Sequence, residues 1–547
     1  MLQGRTAIMP ELGRASSTRP GQQSRPYEDS PVDAVDPAGY ARAVATQARR
    51  QLIVDPFSGE LLRILSKRLD WEHDTTGGPA LPVDVVLYML SGNTERPHRI
   101  LSNTQQLDDL DNYLDMASTT PASSQDQPKI LLLQGDQPPQ CLNRLGVKLK
   151  VDPRVYLRHL QYLWSNRPSK LFASPSLPSA SADMVSLCVV TLGRHEPSNT
   201  PLRSLRQQAA LDMQAYLHEA FMGRELKIGD SIVRGYWVHS QEYFSIEQEI
   251  TVSLQYRNDQ WSLLIWSDIA RPLSSGPRGP WQHQRDPPKS LRGALLPSVR
   301  LSIARSTHRV PPGHEQTPMD KLGSSTMHAL RSSLHYGNDL NPILMAIDPF
   351  YCLSDLFRTS AYSIDQLLKL VEGRIQENTG YRLSQSHHDS HEDLLYHQDI
   401  LNKLRERTAQ SLSDIRQYRH SWPKYTDQDQ RYEVDRISDK LDKDFSNLET
   451  RIDRLLTRCR EGMSMCMSIA SIHGAEKARL QAERIGQLTW LAFFYTPLSF
   501  TTSFFGMNLA DFGQKGGLPT WLWFAVSLPV VSVSYMALLL FAQYGRK

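Results

Sequence analysis

Two long intervals without a formal charge restrict this sequence more than any other feature. No Asp, Glu, Lys or Arg occurs between Arg484 and Asp511, or between Lys515 and Arg546. A helix of about 20 residues crosses the roughly 30 Å hydrocarbon core of a bilayer, and each interval is long enough to do so. Within lipid every backbone amide needs an internal partner, so both intervals read as helices. Trp490 lies near one end of the first, and Trp521, Trp523 and Tyr544 lie at the ends of the second. Those are the places of an interfacial aromatic belt. Lys477, Arg479 and Arg484 precede the first interval, and Arg546 and Lys547 follow the second. That bias predicts both ends on the cytoplasmic or matrix side. Residues 487–547 are therefore expected to form a two-helix transmembrane hairpin in a multi-pass integral membrane protein.

The first interval is not uniformly apolar. Thr489, Thr496, Ser499 and Ser503 share one helical face, with the small Ala492 between them, while Phe493, Phe494, Phe500, Phe504 and Phe505 lie largely elsewhere. Hydroxyls so placed serve either helix–helix packing or a polar lining. The second interval has Ser527, Ser532 and Ser534 and reads as lipid-facing. Pro497 and Pro529 can each kink their helix.

Upstream, no proline occurs from Lys424 to Thr496. As one helix this stretch measures about 110 Å at 1.5 Å per residue. Val434, Ile437, Leu441, Phe445, Leu448, Ile452, Leu455, Leu456, Cys459, Met463 and Met467 give it an apolar stripe. Val434, Phe445, Leu456 and Met467 recur every eleven residues, the mark of a nearly straight or slightly right-handed stripe. Such a rod needs partners along its length, so a bundle or an oligomer is implied.

The rest of the chain reads as a soluble body. Of 547 residues the net charge is +3, which demands no nucleic-acid partner. The five cysteines have no CxxC spacing and suit a reducing compartment. Residues 1–50 read as a disordered tail with a faint likeness to a mitochondrial transit peptide, and the plasma membrane is the preferred location over the mitochondrial inner membrane. Residues 51–270 read as a mixed α/β cytoplasmic domain. Ile130 to Leu133 and Val185 to Val190 are strand-length apolar runs. Ile250 to Tyr256 and Trp261 to Ser267 read as strands joined by a hairpin turn at Arg257-Asn258-Asp259-Gln260, and Asp152-Pro153 as a helix start. Ala117 to Gln127 and Pro168 to Ala182 read as surface loops. Residues 271–345 form a Pro/Arg-rich linker and connecting segment. Residues 346–486 are a helical region, broken at Trp422-Pro423, that contains the stalk.

The run Thr496-Pro497-Leu498-Ser499-Phe500, followed after five residues by Gly506-Met507-Asn508, resembles the first span and signature of the CorA magnesium transporter superfamily. Asp348-Pro349-Phe350-Tyr351 and Asp152-Pro153-Arg154 resemble the cytoplasmic domains of large fungal CorA-like proteins. The resemblance implies a homopentamer with an α+β cytoplasmic domain, long stalk helices and a C-terminal transmembrane hairpin. It implies that the first spans line a pore, with Gly506, Met507 and Asn508 as the outer ion filter and Asp511 in the outer loop. Thr496, Ser499 and Ser503 would line the pore, and Leu488 and Ile485 would form an apolar constriction. The transported species would be a divalent cation, Mg²⁺ first, with no cofactor. Gly516-Gly517-Leu518-Pro519 looks like loops of the ZntB zinc-transporting branch, so Zn²⁺ or another transition metal is the alternative. A non-conducting, membrane-anchored oligomeric scaffold is the alternative of another class.

His387, His388, Asp389, His391, Glu392, Asp393 and His397 make the densest run of potential metal ligands. His387 and His391, four apart, would share a helix face near Asp389 and could form a sensor site for a borderline metal. The plain reading is a solvated loop leading into a helix capped by Ser390. No P-loop, GxGxxG or GxSxG motif occurs, and the chain is not expected to be an enzyme.

Overall fold

The computed structural model describes residues 39–50, 56–66, 83–89, 98–102, 128–165, 177, 181, 183–194, 199–222, 226–257, 260–273, 276–281, 295–296, 336–337, 340–380, 387–421, 428–506 and 520–544. The elements in order are α1 (Gly39–Arg50), α2 (Pro56–Leu65), β1 (Val83–Met89), β2 (His98–Ser102), β3 (Lys129–Gln134), α3 (Pro139–Leu149), α4 (Pro153–Leu160) and α5 (Tyr162–Ser165). Then come β4 (Met184–Arg194), α6 (Leu202–Met222), β5 (Gly235–Val238), β6 (Tyr243–Arg257), β7 (Gln260–Ser267) and β8 (Leu295–Leu296). The helical part comprises α7 (Pro342–Ile347), α8 (Pro349–Thr379), α9 (His387–Ser421), α10 (Gln428–Gly506) and α11 (Thr520–Tyr544).

The strands form one sheet in the order β2-β1-β3-β7-β6-β4-β8, with β5 pairing β6. β3 and β7 run parallel, and the other described pairs are antiparallel. Alternate residues of a strand point to opposite faces, so the sheet can supply two cores. Ile130, Leu132, Ile250, Val252, Leu263 and Ile265 face a core shared with α8, α9 and α10. Leu131, Leu133, Phe244, Ile246, Leu264 and Trp266 face a second core shared with α1 to α4 and α6. The body is thus a sheet covered by helices on both sides.

The expected strands and helix start are present. β6 and β7 pair down to Arg257↔Gln260, leaving Asn258-Asp259 to connect them. Asp152 caps α4, its side chain accepting from the Arg154 amide. Asp348 does the same for α8, accepting from Phe350. α9 stops at Ser421, before Trp422-Pro423. It begins at His387, so Ser390 is buried within the helix and is not its cap.

Two expectations are corrected. Residues 39–50, placed in a disordered tail, form α1, because Tyr40 docks it on the body. The Tyr40 hydroxyl donates to the Val151 carbonyl at 2.7 Å, and its ring meets Tyr156 edge-on at 5.7 Å. The ring lies so close over Gly146 that any Cβ there would collide with it at 2.5 Å. Part of the expected linker also packs, since Leu273 and Trp281 are buried and β8 extends the sheet edge through β4. Ala117 to Gln127 lies outside the described residues, as does nearly all of Pro168 to Ala182.

Charged groups tie the layers together inside the body. Arg234 contacts Asp268 at 2.6 Å and Glu249 at 3.2 Å, and Arg407 of α9 reaches Glu249 at 3.3 Å. Asp393 of α9 accepts from Arg206 of α6 and from Arg374 and Asn378 of α8. Outside the sheet, Arg451 of α10 clamps Asp365 and Glu372 of α8, both at 2.6 Å.

Asp348 gives a pH prediction. It is fully buried, and burial pushes its carboxyl up to about 7, partly offset by the amides of Phe350 and Tyr351. A folded-state pKa above the unfolded value of 3.8 means that the native state holds more protons between those two values. This group's contribution to stability therefore falls as pH rises through that window. Asp348→Asn keeps a capping oxygen and removes the buried charge. Its thermal midpoint should gain on wild type as pH rises from about 5 to about 8. Asp348→Ala should lie about 1 kcal/mol below Asp348→Asn at either pH, for want of the cap. A pH-independent gap between the Asn variant and wild type would refute the assignment.

Candidate ion-conducting hairpin

The 79 residues of α10 form one unbroken helix that passes through Pro497. Its N-terminal half packs on α8 and α9 through Val434, Leu441, Phe445, Leu448, Ile452 and Leu456. Beyond this the helix leaves the body, and every residue from Ser471 to Thr496 is exposed in the single chain. Ile472, Ile485, Leu488, Leu491, Phe493 and Phe494 are all more than half exposed there. Soluble monomers rarely expose a contiguous apolar surface of this kind.

α11 returns antiparallel against the end of α10. Trp490 meets Tyr535 edge-on at 5.6 Å, and Ser527 donates to Thr501 at 3.0 Å. Thr501 in turn donates to the Leu498 carbonyl at 3.0 Å. Thr501 and Ser527 are the buried polar residues of this pair. Among the described residues, Thr520–Leu540 is the helix long and apolar enough to cross a membrane. The C-terminal part of α10 falls short on composition, because Thr489, Thr496, Ser499, Thr501, Thr502 and Ser503 dilute it.

The Thr501–Ser527 contact fixes which way α10 faces. At about 100° per residue, Thr496, Ser499 and Ser503 lie roughly 140–160° around the helix from Thr501. Leu488 and Ile485 fall on the same far side, opposite α11. All five are exposed in the single chain. Thr489, Thr502 and Ser532 return their hydroxyls to carbonyls four residues back, at 2.8, 2.7 and 2.8 Å. The side-chain hydroxyls of Thr496, Ser499 and Ser503 make no hydrogen bond to a described residue. The hydroxyls of Thr496, Ser499 and Ser503 thus form a polar row without a partner among the described residues. Gly506 ends α10, and a Cβ there would meet no atom of the described residues within 4 Å. Met507, Asn508 and Asp511 lie outside the described residues.

The histidine-rich segment is arranged differently. Asp389 is exposed in the first turn of α9, 3.8 Å from His388, and His391 is half-buried. The side chain of His387 lies outside the description. Asp393 and His397 turn inward instead. His397 Nδ1 donates to the Asp393 carbonyl at 2.8 Å, and its Nε2 faces His239 Nδ1 at 3.4 Å. Burial lowers the His397 pKa to about 4, with Asp393 opposing the shift. Among the described residues, no group of three or more His, Cys, Asp or Glu is arranged to hold a metal ion. Nothing in the sequence pattern marked the Asp393 hub, because its partners come from α6 and α8, remote in the chain.

No curated protein matches the chain. Residues 344–541 match the family model described as CorA-like Mg2+ transporter protein. The match runs from α7 through the long helix and across α11. Through residues 344–541 the chain is similar to this family of membrane-embedded divalent-cation transporters, and the match supports membership of the CorA-like superfamily.

Proposed function

We propose that the chain forms a divalent-cation channel, with Mg²⁺ as its first substrate, whose pore is lined by the α10 helices of several copies, five by family resemblance. The observation that carries this reading is the free hydroxyl stripe of Thr496, Ser499 and Ser503 on the α10 face turned away from α11. If α11 packs on the lipid side, that face is left for the symmetry axis. Hydroxyl oxygens and the amide of Asn508 are neutral acceptors. Mg²⁺ sheds water reluctantly, so neutral rings that hydrogen-bond its hydration shell can admit it without trapping it. Below them, Leu488 and Ile485 form an apolar ring that closes the path by dewetting. Transport would follow the electrochemical gradient without ATP. Zn²⁺ or another transition metal is the nearest alternative substrate, and a tethered scaffold the alternative without conduction.

Introduced cysteines test the lining. A water-soluble thiol reagent should block uptake into liposomes through Ser499→Cys and leave Ser532→Cys, on an exposed face of α11, unaffected. Equal block at both positions would reject the assigned faces. Orientation is tested in parallel: Gln514→Cys should label from outside and Gln543→Cys from inside, because basic residues flank the pair on the inner side. The reverse pattern would reject that topology.

A further inference from the structure

The long helix α10 is held at both ends and bare between them. On the body side, Arg451 and Arg458 tie it to Glu372 of α8, at 2.6 and 3.7 Å. Gly462 packs so closely that a Cβ there would meet Thr379 and Leu394 at 2.7 and 2.9 Å. Cys466 is buried and Ile469 is partly buried against the core. From Ala470 to Thr496 every residue is exposed. On the membrane side, contact with α11 is made at Trp490. The ion pairs between, His473–Glu476 at 4.0 Å and Arg479–Glu483 at 2.9 Å, stay within the helix.

The bare part is not uniform in composition. From Ala475 to Arg484 every residue is Ala, Leu, Arg, Lys, Gln or Glu, the strongest helix formers. From Ser468 to Gly474 the run is Ser-Ile-Ala-Ser-Ile-His-Gly, in which only Ala470 belongs to that group. Ser468 also returns its hydroxyl to the Ser464 carbonyl at 2.9 Å, a bond that weakens and bends helices. Gly474 has no atom within 4 Å of where a Cβ would be, so close packing within the chain does not account for it. A glycine in a helix interior adds backbone freedom and no contact. Gly486 is open as well, but it stands at the edge of the membrane part, where little water competes for the backbone.

We propose that residues 468–474, centred on Gly474, are a flexible joint in α10, opening and bending more readily than the helix on either side. Upstream the helix is stiffened by packing, and downstream by its own composition. The joint has neither support. Sharp bends in helices gather at such Gly and Ser positions. A bend of about 20° at Gly474 would carry Leu488, about 21 Å further along, sideways by about 7 Å. A shift of the body thus reaches the membrane end as a tilt, with neither stiff half disturbed.

Hydrogen exchange of the full chain in liposomes, resolved by peptide and corrected for intrinsic rates, tests the joint. Amides of residues 470–476 should exchange about ten-fold or more faster than those of 479–485, although both stretches are equally bare. Gly474→Ala should slow exchange in 470–476 by about five-fold, the weight of a glycine against alanine in a helix interior. Ala478→Gly, in the strong stretch, should speed exchange around it by a similar factor. Equal protection of the two stretches, or unaltered exchange in Gly474→Ala, would overturn the inference. Slow exchange throughout would also overturn it, since packing between copies would then hold the segment rigid. The measurement requires no flux, so a rigid segment leaves the pore reading standing, and absent conduction leaves the joint standing.

Discussion

Asn508→Ala is expected to cut divalent-cation uptake by more than about ten-fold while leaving folding and assembly intact. One lost hydrogen bond to the ion's water shell costs about 1 kcal/mol. A ring of several copies loses several, and about 1.4 kcal/mol suffices for a ten-fold change in rate. The carbonyl of Gly506 survives the substitution, so weak binding can persist. Truncating a residue in a polar loop costs little stability, so lost flux reads as a filter effect. Asp511→Asn is the contrast: it should lower only the local cation concentration, with a smaller effect that shrinks as salt rises. Flux through both variants at matched protein density separates the two. Undiminished flux in the alanine variant would put the scaffold reading first.

The second large effect belongs to the body. Asp393→Ala should destabilise the cytoplasmic part by about 3 kcal/mol, because it leaves the buried Arg206 without its counter-charge and Arg374 with Glu377 alone, at 2.6 Å. Arg206 and Arg374 are only 10% and 12% exposed and both converge on this carboxylate. The pKa of Asp393 is itself held below the usual carboxylate range: burial pushes it up, but His397, Arg206 and Arg374 together outweigh that. Arg206 also donates to the Val238 carbonyl, and the Tyr396 hydroxyl accepts from the Val238 amide. Loss of the hub should therefore loosen β5 along with α6. Chemical denaturation followed by the body's tryptophans would show a lower midpoint. A stability within about 0.5 kcal/mol of wild type, the range of ordinary surface substitutions, would contradict the role.

The parts of this fold that sequence can show are those governed by local chemistry. A proline after Asp152 and after Asp348 starts a helix because its missing amide is not needed there, and the aspartate caps the free amides. Trp422-Pro423 signals a helix end because proline disfavours helix in the residue before it, and α9 stops at Ser421. Asn258-Asp259 between two apolar runs marks the turn of the β6–β7 hairpin. The apolar stripe of α10 is legible as far as Cys459 because it packs on α8 and α9 in one straight row. What depends on distant partners is not legible. The four residues of β5 are too few to show alternation, and their place is set by β6 and by Tyr396. α1 depends on Gly146 making room for Tyr40, more than one hundred residues away. In the candidate pore, sequence periodicity identifies a hydroxyl stripe but leaves open whether it packs or lines. The Ser527–Thr501 bond supports the lining reading, since it assigns a different hydroxyl, Thr501, to packing against α11.

The central claim is conduction, and its most direct measurement is metal uptake by the purified full chain in liposomes, comparing Mg²⁺, Zn²⁺, Co²⁺ and Ni²⁺ under an inward gradient without ATP. The account predicts uptake that follows the gradient, is greatest for Mg²⁺, and is lost with Asn508→Ala. Greater flux for Zn²⁺ would move the substrate to the alternative metal while keeping the pore. No flux for any of these cations, from protein shown to be assembled, would contradict the account.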